Sequence, residues 1–127
     1  MNIIAVKSAL TKLKELSNYP KAKKGDVVII ELKGSYTTIK DGGYGMKSLV
    51  SYYFAKVTKT SQGVVKTYTK ANGAHGIVDS RHRVMCISAP DTQGAARDLF
   101  GTELGAMDFD NLDQVKAAIL DRVEALR

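Results

Sequence analysis

Four β-branched residues stand in a row at Val27-Val28-Ile29-Ile30, opened by Gly25-Asp26 and followed by Gly34. Such side chains are stiff at χ1 and fit a pleated, packed surface better than a helix. Residues 27–33 are therefore predicted to be a buried strand. Two more strands are predicted at 48–59 and 64–70, joined by Thr60-Ser61-Gln62-Gly63, and another within 77–88, strongest at Arg83-Val84-Met85-Cys86-Ile87. Between them, residues 34–47, with Asp41-Gly42-Gly43 and Gly45, are expected to be a flexible loop at the tip of a long hairpin, and 71–76 a turn. Several short strands with tight turns point to a small antiparallel barrel over residues 25–90.

The flanks have a different period. Ile3, Val6, Leu10 and Leu13 recur at helical spacing, and Asn18-Tyr19-Pro20 closes a helix over residues 3–17. After Pro90, residues 91–100 suggest a short helix with Ala95, Ala96, Leu99 and Phe100 inward. Gly101 and Gly105 break it. Residues 111–126 carry the stripe Leu112, Val115, Ile119, Val123 and Leu126, with Asp110 or Asn111 as the cap. The expectation is one α+β domain over residues 1–127. It comprises an N-terminal helix (1–18), a β-barrel core (25–90) of the SH3-like kind and a helical end (91–127). Barrels of that kind host many functions.

Charge divides along the same line. Residues 1–90 hold 15 Lys/Arg against 5 Asp/Glu, and residues 91–127 hold 4 against 8, giving +10 and −4 within a chain of net +6. A strongly basic segment attracts polyanions: nucleic acid, an anionic surface or an acidic protein. The longest apolar runs are far shorter than a membrane span, and the N-terminus lacks the basic n-region of a signal peptide. Cys86 is the only cysteine, which fits a reducing, cytoplasmic setting.

Chemistry-bearing groupings are sparse. Asp79-Ser80-Arg81-His82 contains three residue types of a hydrolase triad, but neighbours along a chain point in different directions, so the stretch is expected to be a polar turn. His82 and Cys86 stand roughly 13 Å apart in an extended strand, too far to pair, and Cys86 is expected in the core as a small hydrophobe. Two histidines and one cysteine make a poor metal site. Gly42-Gly43-Tyr44-Gly45 lacks the following helix that a phosphate loop needs. No catalytic residue, metal or cofactor is expected.

The lysines carry the functional weight. A three-residue hairpin loop, Thr60 to Gln62, with Gly63 left-handed, would set Lys56 opposite Lys66 and Phe54 opposite Tyr68. A basic strip beside exposed rings would suit a phosphate backbone with stacked bases. The alternative for that strip is that a helix covers the rings and the lysines snorkel to water. The candidate nucleic-acid-binding set is Lys23, Lys24, Lys56, Lys66, Lys70, Arg81, Arg83, Phe54 and Tyr68.

The stretches Tyr53-Phe54-Ala55-Lys56-Val57-Thr58, Gly63-Val64-Val65-Lys66, Gln93-Gly94-Ala95-Ala96-Arg97 and Phe109 to Ala118 resemble a group of small proteins from actinobacteria, their phages and mobile elements. The resemblance spans about residues 25–125. It implies a barrel followed by an alanine-rich helix and a final capped helix, and a mobile-element origin. The group has no assigned activity, so no catalytic residue transfers. The leading expectation is a non-enzymatic binding module that engages nucleic acid through the basic barrel. The alternative is a module that binds a host protein, modulating transcription or defence. A cryptic enzyme ranks last.

Overall fold

The computed structural model describes residues 3–11, 22–40, 43–87 and 90–125, with 35–40, 43–48, 90 and 91 described by their backbone. Helix α1 (Ile3–Thr11) is followed by strands β1 (Val27–Lys40), β2 (Gly43–Ser61), β3 (Val64–Lys70), β4 (His75–Ile77) and β5 (His82–Cys86). Helix α2 (Pro90–Phe100), a short 3-10 turn (Leu104–Ala106) and helix α3 (Leu112–Ala125) complete the chain. The described part of the first predicted helix ends at Thr11, and its remainder lies outside the described residues.

The strands form one antiparallel sheet in the order β4-β3-β2-β1-β5. No ladder joins β4 to β5, so the sheet is open and the closed barrel is not what the pairing gives. Yet the sheet must curl. Four inter-strand steps of about 4.8 Å would part the edges of a flat sheet by roughly 19 Å. Ile77 and His82 are only five residues apart along the chain, a reach of at most about 17 Å. The curl brings a β5 side chain onto β3, where the Tyr68 hydroxyl lies 3.0 Å from His82 Nε2.

A curled sheet has two cores, and the β-branched run supplies both. Val27 and Ile29 face a cluster with Phe54, Tyr52, Met85 and the three helices: Val6 and Leu10 from α1, Ala95, Ala96 and Leu99 from α2, and Leu112, Val115, Ile119 and Val123 from α3. Val28 and Ile30 face into the curl, with Tyr53, Ala55, Val57, Val65, Tyr68, Val84 and Cys86. Burial on both faces explains why this strand has no polar alternation.

Two devices fasten the helices. Gln93 of α2 extends the sheet's hydrogen bonding. Its Oε1 accepts from Val27 N (2.8 Å), and its Nε2 donates to Val27 O (3.0 Å) and Ile87 O (3.1 Å). The segment before α3 makes a two-way bridge with β2: Tyr52 N donates to Phe109 O (2.9 Å) and Phe109 N to Tyr52 O (2.7 Å). Asn111 is the cap of α3, its Oδ1 accepting from Gln114 N (3.0 Å), while Gln114 Oε1 accepts from Asp110 N (3.2 Å).

The expected loop at 34–47 is instead a paired ribbon. β1 and β2 stay in register from Gly34↔Leu49 to Lys40↔Gly43, with Gly45 inside the ladder opposite Thr38. Asp41 and Gly42 lie outside the described residues.

Candidate nucleic-acid interface

The β2–β3 turn decides where the lysines stand. Gln62 (φ 53°) and Gly63 (φ 77°) are both left-handed, the signature of a two-residue hairpin turn whose twist matches its strands. The register is therefore Ser61↔Val64 and Thr60↔Val65, returning after local irregularities to Val57↔Tyr68 and Lys56↔Thr69. The expected three-residue loop and the Lys56–Lys66 pairing are both overturned. The irregularities around Lys59 and Lys66 have a use. They let Val65 and Tyr68 both face the inner core, while Lys59 and Lys66 reach solvent.

The aromatic half of the expected strip is overturned as well. Phe54 is fully buried on the helix side, edge-on to Phe109 with ring centroids 6.0 Å apart. Tyr68 is buried on the opposite face of the sheet. The helix cover foreseen as the alternative holds for Phe54, whereas Tyr68 is hidden by the curl. Neither ring can stack on a base.

The cations divide into groups. Lys23 and Lys24 are exposed in the turn before β1, which docks on β2: Gly25 N donates to Val57 O (2.8 Å) and Val57 N to Asp26 O (2.9 Å). Next to it, Lys56 is exposed with its ammonium 5.0 Å from the centre of the Phe100 ring. Lys59 follows on β2, and Lys66 stands across the hairpin, beside Lys59's partner Thr67. The local acid, Asp26, is engaged by Arg97 at 3.0 Å. Among the described residues Lys23, Lys24, Lys56, Lys59 and Lys66 form no ion pair. The structure thus gathers Lys23, Lys24, Lys56 and Lys66 with Lys59, which strict alternation from Val57 would turn inward and which the irregularity beside it turns to solvent.

Lys70, Arg81 and Arg83 lie elsewhere. Lys70 bonds Asp108 (2.8 Å) and sits 4.3 Å from the centre of the Tyr53 ring. Arg81 bonds Asp79 (3.1 Å). Arg83 is opposite Glu31 in the β1–β5 register, and Glu31 is itself buried, accepting from the Tyr52 hydroxyl at 2.8 Å. Burial and that bond push the Tyr52 hydroxyl up to about 12.

A second polar feature went unforeseen. The stretch 79–82 is a turn, as expected, with Arg81 N donating to Asp79 Oδ1 (2.9 Å) and His82 N to Asp79 O (3.0 Å). The expectation that its side chains diverge fails at Asp79, which meets both the Arg81 guanidinium (3.1 Å) and His82 Nδ1 (2.7 Å). A carboxylate only accepts, so this shorter bond needs the proton on Nδ1, the tautomer in which the 3.2 Å approach of Asp79 N to Nδ1 is not a hydrogen bond. With His82 neutral, Nε2 then accepts from the Tyr68 hydroxyl (3.0 Å), and the Tyr68 oxygen accepts from Tyr53 (2.6 Å). The Arg81 hydrogen bonds, chiefly, hold the Asp79 carboxyl well below the usual range. Burial, and then the bond to Tyr68, pushes the Tyr53 hydroxyl up. Ser80 is exposed and stays outside the chain of bonds. Tyr53, Tyr68 and the His82 side chain are nearly inaccessible, so this chain acts as a clasp across the curl. Cys86 is buried, as the sequence predicts, and forms no disulfide.

On the opposite side, a groove of about 300 Å³ runs between α2 and α3, lined by Leu99, Thr102, Leu104, Ala118, Asp121 and Arg122. No group of three or more His, Cys, Asp or Glu residues able to hold a metal occurs among the described residues, and no helix among them is long and apolar enough to cross a membrane. No protein-family model, curated protein or solved structure matches this chain.

Proposed function

We propose that this protein is a non-enzymatic nucleic-acid-binding module that holds a phosphate backbone on the lysine-rich end of a curled, SH3-like sheet. The meander of four strands with the fifth returning beside the first supports the SH3-like reading. The observation that carries the function is the gathering of Lys23, Lys24, Lys56, Lys59 and Lys66 around one turn and one hairpin, without an ion pair among the described residues. Lysines freed of carboxylates release counterions when they meet phosphate, and that release drives sequence-independent binding. With Phe54 and Tyr68 buried, the mode is phosphate binding and not base stacking.

The test is fluorescence anisotropy with a labelled mixed-sequence duplex and the matching single strand, from about 50 mM salt upward. Replacing Lys23, Lys24, Lys59 and Lys66 with Ala should weaken binding to all sequences alike. It should flatten the log–log salt slope by about 0.9 for each phosphate that is no longer neutralised. The single strand should gain no advantage over the duplex. Absence of binding near 50 mM, or binding indifferent to salt and to the lysines, defeats the reading. A protein partner is the second reading, favoured by the groove between α2 and α3 and the exposed Leu104 that lines it. It predicts binding that survives loss of the lysines and fails with Leu104→Glu.

A further inference from the structure

The hairpin of β1 and β2 outruns the rest of the sheet. β5 pairs with β1 only from Val28 to Leu32, one further bond joining Lys33 N to Arg81 O, and β3 pairs with β2 only from Ala55 onward. The bridge to Phe109 covers β2 at Tyr52. From Gly34 to Lys40 and from Gly43 to Leu49 the two strands pair only with each other, through seven rungs. Seven rungs at about 3.4 Å per step make an arm roughly 20 Å long. Both backbone edges along it lack a neighbouring strand among the described residues.

Such an arm carries unpaired edges, which folded proteins normally cover or charge. Here the sequence charges it: residues 33–50 contain Lys33, Lys40 and Lys47 against one acid, Asp41. Lys33 and Arg81, at its base, are exposed. Leu49, at the last rung before the domain, is 53% exposed. A two-stranded ribbon with strands about 4.8 Å apart fits the major groove of duplex DNA, which is about 12 Å wide and displays the base edges that distinguish all four base pairs.

We propose that the β1–β2 ribbon enters the major groove of DNA, while the lysines at the other end of the sheet hold the backbone. The inference rests on the nucleic-acid reading above and adds to it the duplex, the groove and the element that enters it. Base edges would be met by the ribbon, which makes it the source of any sequence preference; the lysine cluster is sequence-blind.

The experiment compares the full chain with a variant in which residues 35–48 are replaced by Asn-Gly, closing Gly34 onto Leu49 through a two-residue turn. A second variant, Lys40→Ala with Lys47→Ala, keeps the ribbon and guards against a folding defect. Binding to a mixed-sequence duplex is read by anisotropy, and groove occupancy by protection of guanine N7 from dimethyl sulfate, since N7 lies in the major groove. The full chain should protect N7. The shortened chain should bind at least about tenfold more weakly near 0.1 M salt and protect nothing. The double lysine variant should flatten the salt slope by about two. If the full chain binds without N7 protection, or both variants bind and protect like the parent, the ribbon assignment falls while the lysine-cluster reading stands. If the shortened chain loses self-association instead of DNA binding, the ribbon is a dimerisation arm and the proposal is wrong. If the full chain binds no DNA, both readings fall together.

Discussion

The hydroxyl oxygens of Tyr53 and Tyr68 lie 2.6 Å apart inside the curl of the sheet, and Tyr68 passes the connection on to His82 on the far edge. Tyr68 is the middle member of the chain and Tyr53 its end. Tyr68→Phe strips a partner from two buried groups at once and should cost about 1–3 kcal/mol, whereas Tyr53→Phe should cost about 0.5–1.5 kcal/mol. Urea unfolding of both variants and of the double variant measures this. Equal losses for the two single variants would mean that the clasp is not a chain.

Gln93 stands in for a strand at the end of the β1–β5 ladder. Gln93→Ala leaves the Val27 amide without its partner, and a buried unsatisfied donor costs about 1–3 kcal/mol. Hydrogen exchange should show the Val27 amide losing protection ahead of Ile29 and Ile30.

Two glycines should respond with opposite signs. A Cβ on Gly76 would overlap the Tyr68 ring, which the clasp holds in place, so Gly76→Ala should destabilise by roughly 1–3 kcal/mol. Gly94 lies within α2 with nothing within 4 Å of a Cβ. Gly94→Ala should stabilise by about 0.5–1 kcal/mol through the ordinary helix preference for Ala. Melting temperatures moving in the same direction would contradict this assignment.

Ile119 is fully buried between α3 and the sheet. Ile119→Asp places a charge there without a partner and should cost several kcal/mol. A variant that melts like the parent would show that α3 does not dock.

Stability should fall at both ends of the pH scale, for different reasons. The Asp79 carboxyl is held below its ordinary 3.8 by Arg81 and His82. A depressed carboxyl contributes stability above its unfolded value and loses it as pH falls through the folded one, so the Asp79 contribution fades below about pH 4. The Tyr52 hydroxyl is raised from 10.0 to about 12. Its contribution is intact below pH 10 and lost as pH rises from 10 towards 12. Denaturant midpoints followed against pH should show a shallower acid-side decline in Asp79→Asn and a shallower alkaline decline in Tyr52→Phe.

Local physics determined much of this protein from the sequence alone. The Val27–Ile30 run made a strand because β-branched residues stack well on a pleat, and its lack of alternation marked it as buried. The stripe from Leu112 to Val123 made α3 because its spacing follows the helical turn, and Asn111 caps it. The surplus of lysine before residue 90 is a matter of counting. What tertiary structure alone decided were relations between distant residues. The positive φ values at Gln62 and Gly63 moved Lys66 away from Lys56, because a sheet's register is set by its turn and no strand shows it alone. The register set Phe54 and Tyr68 on opposite faces, where the helices cover the one and the curl hides the other from a base. Gly43 and Gly45, which suggested a loose loop at 34–47, sit instead in a ladder, since backbone hydrogen bonds need no side chain. The meeting of Asp79, His82, Tyr68 and Tyr53 depends on two sheet edges approaching each other, and no spacing along the chain encodes that.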